Sequence, residues 1–326
     1  MKFLVTGGAG YIGSHMVNYL LSKRHKVTIF DNLSLGKNLI SKKANFIKID
    51  LLNKKRLDQI MSKSKFDAVF HFAGLSRVSE SEKKPKKYFK NNVIGSKNLI
   101  NTMLKYNINN LIFSSSAAVY GDPKKKKISE THKMKPISNY GKNKKEIEKF
   151  LLQMGKKMNF KSISLRYFNA AGADENGKFG EDRKIETHLI PKILKSIIKK
   201  NNKVYVFGKN YKTKDGTCIR DFIHVNDIVK AHYYGLKQFK KKKCILNYNI
   251  GTEKGYSVLE IIKSVEKITK KKLKIIYKKK RKGDPHILVA KCNKIFRELK
   301  WKPKYKNIDK IIFTAWNWHK KKFNVH

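Results

Sequence analysis

Two rhythms of apolar positions alternate along the first half of the chain. Short apolar runs at residues 2–6, 26–30, 45–49, 68–72, 111–114 and 162–167 have the length and composition of strands. Between them the apolar spacing lengthens to three and four, as at Ile12, Met16, Val17, Leu20 and Leu21, and again over 91–106 and 143–158, which predicts helices. This alternation predicts βαβ units and an α/β fold with a doubly wound parallel sheet. After Asn169 the rhythm loosens. Residues 172–183, rich in Gly, Asp and Glu, read as loop, while 188–199, with Pro191 in its first turn, and 256–269 read as helices. Residues 204–207 read as a short strand and 221–236 as strand mixed with helix. The expected organisation is one domain over 1–169 and a smaller C-terminal domain mainly over 170–326, with part of 220–250 returning to the first.

The first turn gives this sheet a chemistry. Gly7-Gly8-Ala9-Gly10-Tyr11-Ile12-Gly13 lies between the first strand and the first helix. Small residues there let the backbone approach a pyrophosphate, and the helix N-terminus offers free N–H groups and a partial positive charge. Asp31 closes the second strand, where a carboxylate accepts both hydroxyls of a ribose and repels a 2′-phosphate. The sheet is therefore read as Rossmann-type and its cofactor as NAD rather than NADP. The competing reading of Asp31 is a strand-end turn residue. Asp50 ends the third strand, where an adenine edge would lie; its competing reading is a helix N-cap.

Tyr140 and Lys144 stand four apart, so on a helix they share a face. A lysine ammonium and a nicotinamide cation nearby would favour phenolate, whose pKa must fall from about 10 by about three, or ~4 kcal/mol, to act near neutrality. Spacing alone decides nothing here. Fifteen tyrosines among so many lysines produce about three chance matches, and the chain has five, at Tyr19, Tyr120, Tyr140, Tyr205 and Tyr233. Context selects Tyr140, which opens a predicted helix after Ser114-Ser115-Ser116 at the carboxyl end of the fifth strand. Ligands of open α/β sheets gather at such ends. Ser116 is placed to hydrogen-bond a substrate hydroxyl; the plain alternative is a serine-rich loop bonded to its own backbone.

Composition adds a large charge and removes several classes. The chain of 326 residues carries a formal net charge of +52. Only eight of its 76 Lys plus Arg residues are arginine, and the lysines are spread in runs such as 124–127, 240–243, 270–272, 278–280 and 320–322. Nucleic-acid readers lean on clustered arginine, so the excess reads mainly as solvated surface, with a basic nucleic-acid-binding protein as the rival class. Three cysteines, Cys218, Cys244 and Cys292, lack disulfide-scaffold or metal-ligand spacing; no metal is expected, and a reduced cytoplasmic compartment fits. No apolar run reaches a membrane span's length, and the N-terminus lacks a signal-peptide stretch.

Taken together these segments resemble the extended short-chain dehydrogenase/reductases, and among them those that epimerise UDP-hexoses at C4. The resemblance rests on Gly7 to His15, Asp31-Asn32-Leu33, His71 to Leu75, Asn91-Asn92-Val93, Ser114 to Gly121, Asn139 to Lys142, Leu165 to Asn169, Asp215 to Val225 and Arg281-Lys282-Gly283-Asp284-Pro285. It covers nearly the whole chain and implies interconversion of UDP-glucose and UDP-galactose on tightly bound NAD. Tyr140 is then the base, with Ser116 beside it and Lys144 holding the phenolate and the nicotinamide ribose. Gly7, Gly10, Tyr11, Ile12, Gly13, Asp31, Asn32, Asp50, Leu51, Phe72, Ala73, Gly74, Asn91 and Phe168 match cofactor-contacting positions. Asn169, His188, Leu189, Val206, Phe207, Arg220, Arg281 and Asp284 match the nucleotide-sugar side. The resemblance also implies a homodimer, formed through helices such as 91–106 and 143–158.

Four positions depart from the family: Ser76 for a lysine, His188 for a common asparagine, Phe222 for a common tyrosine, and Leu288 where sugar size is controlled. Leu288 leaves open an epimerase of N-acetylated UDP-hexoses. Related dehydratases and decarboxylases need acidic residues directly after the hydroxyl residue; here Ala117 and Ala118 occupy those places and cannot transfer protons.

Overall fold

The computed structural model describes residues 1–35, 41–123, 125–183, 185–241, 244–281 and 284–325. Among the features singled out above, Lys124, Lys242, Lys243, Lys282 and Gly283 lie outside the described residues.

The strands in chain order are β1 (Lys2–Thr6), β2 (Lys26–Asp31), β3 (Asn45–Lys48), β4 (Ala68–His71), β5 (Asn110–Ser116), β6 (Lys161–Tyr167), β7 (Asn169–Ala171), β8 (Lys203–Phe207), β9 (Ile219–His224), β10 (Ile245–Ile250), β11 (Gly255–Ser257), β12 (Lys274–Lys278) and β13 (Ile287–Leu288). The helices are α1 (Tyr11–Ser22), α2 (Lys54–Met61), α3 (Val78–Lys83), α4 (Pro85–Phe89), α5 (Gly95–Lys105), α6 (Asn139–Lys157), α7 (Leu189–Ile198), α8 (Val225–Gly235), α9 (Val258–Thr269), α10 (Asn293–Leu299) and α11 (Ile308–Phe323). The chain clusters into two compact units: residues 1–120, 134–166 and 229–248 form the first, and 121–133, 167–228 and 249–326 the second.

The first unit is built on a seven-stranded sheet of order β10-β6-β5-β4-β1-β2-β3. The pairs from β3 through β5 run parallel. Every residue of the central strand β4 is buried, as a strand covered on both faces requires, whereas the edge strand β3 keeps its ends exposed. Leu4, Phe30, Val69, Leu111 and Phe113 pack with Leu57, Met61, Leu99, Met103, Ile147 and Leu151 from the helices. The helix predicted over 91–106 divides: Lys90–Ile94 is a π-helical turn, and α5 begins only at Gly95. The helix predicted from residue 143 begins at Asn139, because Ser138 caps it by accepting the Gly141 N–H at 3.1 Å.

The second unit holds its own core, in which Ile190, Ile193, Leu194 and Ile197 of α7 meet Val204 and Val206 of β8, Ile261 and Val265 of α9, and Ile311 and Ile312 of α11. Its small sheets pair β9 with β7, β11 and β13, and β8 with β12. Residues 256–269, read as one helix, divide into β11 and α9, with a capping box in which Ser257 and Glu260 bond each other's backbone N–H. Strand β12 lies in a lysine-rich stretch read as solvated surface, where no strand was expected, and α11 stands where no element was expected.

Candidate active site

The glycine turn is shaped by close approach. Gly7 sits at φ +70°, a left-handed conformation that favours glycine, and donates its N–H to Phe30 O at 2.7 Å. A Cβ on Gly13 would lie 2.1 Å from Gly7 O, so only glycine lets α1 begin against the turn. No side chain caps α1, and its first turn holds no acid, so its partial positive charge has no side-chain partner there. Asp31 ends β2 and accepts the N–H of Ala9 at 3.0 Å and of Leu33 at 2.8 Å. Burial raises its pKa, and those two N–H groups pull it back. Asp50 is not a helix cap: it accepts the Asn32 amide at 3.0 Å and the Leu52 N–H at 2.9 Å, while Asn53 caps α2. Leu51 follows Asp50 in the turn after β3, half-buried. These groups present an uncapped helix N-terminus, a carboxylate acceptor at a strand end and a polar turn after the next strand, the donors and acceptors that a dinucleotide's diphosphate, ribose and adenine require.

Phe72, Ala73 and Gly74 follow β4, where His71 bridges Thr6 Oγ1 at 2.6 Å and Ser96 Oγ at 2.8 Å. Burial holds the His71 pKa down to about 3, with the nearby Lys144 charge helping, so the ring is neutral. Asn92 clamps the loop by exchanging hydrogen bonds with the Leu75 N–H and carbonyl. Asn91 lies half-buried in the π-helical turn.

Strand β5 runs through the serines to Ser116, whose Oγ accepts the Ala118 N–H at 3.2 Å. Tyr140 occupies the first turn of α6, and its N–H donates to Ser81 Oγ at 3.1 Å. One turn on, Lys144 is buried; its Nζ donates to Ser114 O at 2.5 Å and lies 5.8 Å from the centre of the Tyr140 ring and 4.7 Å from that of Phe113. Burial lowers its pKa to about 8, and Glu148 pulls it back up. The start of α6, earlier than its apolar periodicity suggests, is what places both residues on helical turns of one face.

The second unit gathers the remaining residues on its own elements. The buried Phe168 donates its N–H to Ile250 O at 3.1 Å, and Asn169 opens β7 in register with Phe222. Val206 is buried in the core and paired with Tyr277 on β12, while Phe207 lies under the Arg281 guanidinium at 3.8 Å. Arg220 pairs with Asp284 and donates to its neighbour Ile219 O at 2.8 Å. His188 is the N-cap residue of α7, immediately before the half-buried Leu189, and its Nδ1 lies 2.6 Å from the buried carboxylate of Glu181. Burial works against the charge of Glu181, but His188 and Arg183 hold its pKa below the usual carboxylate range. Glu181, Glu186 and His188 come within 4.8 Å of one another; Arg183, 2.7 Å from Glu181, already balances that carboxylate, so the cluster reads as an ion-pair network.

Residues 3–251 match the model of the NAD dependent epimerase/dehydratase family. The chain belongs to that family. It is 45% identical to a UDP-glucose 4-epimerase of Lactobacillus helveticus, over 98% of this chain and 97% of the relative. It is 41% identical to one from Halalkalibacterium halodurans, over 98% of this chain and 96% of that one. The structure of a Bifidobacterium longum UDP-glucose 4-epimerase in complex with NAD+ and UDP superposes with a TM-score of 0.94 at 35% identity, covering all of both chains. As a family member the chain is an NAD-dependent enzyme, and its bare α1 N-terminus and the carboxylate of Asp31 fit that cofactor.

Several residues that shape these surroundings went unassigned in the sequence. His71 and Asn92 stood inside recognised motifs without a role. Glu148 carried a visible signal, since it extends the face of Tyr140 and Lys144 by one further turn.

Proposed function

We propose that this chain interconverts UDP-glucose and UDP-galactose by epimerisation at C4, through a transient 4-keto sugar and with no net redox change. The observation that carries the reading is the first half of α6: Tyr140 on its first turn, the buried Lys144 one turn on, and no acid at Ala117 or Ala118. NAD, when bound, supplies the acceptor that takes the C4 hydride and returns it. Tyr140 removes the proton of the C4 hydroxyl and gives it back on the return. Lys144, desolvated and close to its ring, stabilises the phenolate, and Ser116 hydrogen-bonds the sugar hydroxyl. With no acid at Ala117 or Ala118 to supply a second proton transfer, the keto sugar is not dehydrated; were it to turn over before reduction it would present its other face, and C4 would invert.

In this proposal the first unit is the NAD domain, holding the dinucleotide with Gly7 to Gly13, Asp31, Asn32, Asp50, Leu51, Phe72 to Gly74 and Asn91. The second unit is the nucleotide-sugar domain. Arg220 and Arg281 supply bidentate donors to the diphosphate, and Asn169, His188, Leu189, Val206, Phe207 and Asp284 complete the proposed sugar-nucleotide contacts, while Phe168 is proposed to contact the cofactor. Incubation with UDP-galactose should yield UDP-glucose; a folded, NAD-containing protein that produces none would sink the proposal. UDP-N-acetylglucosamine in parallel reads the tolerance set at Leu288, a buried residue on β13.

We further propose a homodimer in the cytoplasm. What supports the dimer is that Phe89 on α4, Ile94 in the π-helical turn and Leu152 on α6 are large apolar side chains left exposed at 47%, 38% and 44%. Light scattering that reports a monomer at micromolar concentration would remove the dimer. Among the described residues, no helix is long and apolar enough to cross a membrane.

A further inference from the structure

Helix α6 carries a third polar residue on the face of Tyr140 and Lys144. Glu148 is buried, and so is its partner Arg166 on β6. Glu148 Oε1 accepts the Ser115 hydroxyl at 2.5 Å and Arg166 Nε at 2.9 Å, and Oε2 accepts Arg166 Nη2 at 2.5 Å. Arg166 Nη1 donates to the Tyr120 hydroxyl at 2.8 Å, and Nη2 reaches Met134 Sδ at 3.3 Å. Both charges thus have bonded partners, as buried ions must.

The network ties adjacent residues of one strand end to adjacent turns of one helix. Lys144 holds the Ser114 carbonyl, and Glu148 holds the Ser115 side chain. Ser116, proposed to hydrogen-bond the sugar, is the next residue along β5. We propose that the Glu148–Arg166 pair is a positioning device for the reaction: it sets β5 against α6, so that Ser116 and Tyr140 are held in register, and it keeps the charge beside Lys144 balanced.

The balance follows from what faces Lys144. Glu148 and Tyr140 approach from its own helix, the neutral His71 from β4, and the Ser114 carbonyl from β5, while Arg166 from β6 reaches it through Glu148. An unpaired Glu148 would hold Lys144 and Tyr140 protonated to higher pH, and an unpaired Arg166 would do the reverse. A role confined to folding predicts no such opposition.

The inference rests on Tyr140 being the base, so its test reads that phenol without substrate. The phenolate absorbance of the NAD-bound protein is titrated against Tyr140→Phe as blank. Glu148→Gln should move the midpoint down and Arg166→Met should move it up, each by about half to one pH unit. The neutral double variant should return to within about 0.3 of the unmodified protein, since exchanging a buried pair for uncharged groups restores the balance. Its kcat for UDP-galactose should fall about tenfold, with KM within about twofold, because register is loosened while the second unit is untouched. Single shifts in the same direction, or none, overturn the inference. If a single variant does not fold, the double variant decides: a displaced midpoint or an undiminished kcat overturns the inference. A protein that converts no UDP-galactose but shows the opposed shifts would remove the proposed substrate and leave the pair's role standing.

Discussion

The two units handle charge in opposite ways. In the first, Lys144 is 6% exposed, and it and the histidine beside it have pKa values displaced by burial, to about 8 and about 3, while Tyr140 and Ser116 are half-buried. In the second, Arg220 and Asp284 remain 11% and 25% exposed, and Arg281 lies open to solvent. A proton-transfer group must change charge near neutrality; desolvation lowers a lysine toward that range, while a tyrosine, which burial alone would raise, needs a neighbouring ammonium to favour its phenolate. A diphosphate ligand needs the reverse, donors charged at every working pH that shed water only when the anion arrives. On this comparison the first unit governs kcat and the second governs KM.

The strongest way to break it is Tyr140→Phe. The ring keeps its packing and loses the proton acceptor, so kcat should fall about 10³-fold while NAD remains bound. A fall in affinity with kcat preserved would put the base elsewhere.

Asp221 is an exception inside the second unit, because it is fully buried. One of its oxygens accepts the Thr252 N–H and hydroxyl, and the other accepts the N–H groups of Glu253 and Ala290. Asp221→Asn would turn an amide donor toward two of those donors and should lower stability by about 3 kcal/mol. Burial raises the folded pKa from 3.8 to about 6, above the unfolded value, so the native state holds this proton more tightly. Its contribution is therefore present in full below about pH 4 and declines as pH rises through about 6. Thermal melts at pH 5 and pH 7 should show that trend in the unmodified protein and lose it in the variant.

Lys144→Met sharpens the comparison from the other side. A lysine whose folded pKa lies near 8 destabilises the fold at pH 7, so its removal should raise apoprotein stability by about 2 kcal/mol, less what the Ser114 carbonyl loses. Because the folded pKa is depressed, the unmodified protein recovers stability as pH rises from 8 toward 10.5, and the two melting curves should converge there. Turnover should be lost at every pH.

How much of this could be read from the sequence depended on distance along the chain. The dinucleotide turn was legible because strand, glycines and helix are contiguous, and Asp31 because a strand end is marked by the apolar run before it. The apolar rhythm alone marks α6 only from residue 143, because its first turn, Asn139 to Lys142, carries none; the Ser138 cap starts the helix at Asn139. Strand β12 was hidden because Lys274 and Lys278 flank Ile275, Ile276 and Tyr277 among further lysines, and its pairing with β8 comes from a distant segment. Glu148 had the right spacing, yet its partners Ser115 and Arg166 lie on other strands, so its role was invisible until β5, β6 and α6 came together. The count of +52 had little bearing, since the buried lysine of the proposed chemistry is one among dozens.

The smallest predicted effect is also the most selective. Arg281 lies over the Phe207 ring at 3.8 Å, where a planar guanidinium stacks and still directs its edge to an anion. Arg281→Lys keeps the charge but loses the planar fork, and Arg281→Leu loses both. On the comparison drawn here KM for UDP-galactose should rise about threefold in the lysine variant and about tenfold, or ~1.4 kcal/mol, in the leucine variant, with kcat unchanged in both. Raising the salt concentration should weaken binding to the unmodified protein and the lysine variant and leave the leucine variant less affected, since an exposed charge is screened and an absent one is not. A kcat that fell with KM would mean that Arg281 also orients the sugar, and the division of labour between the two units would fail at that residue.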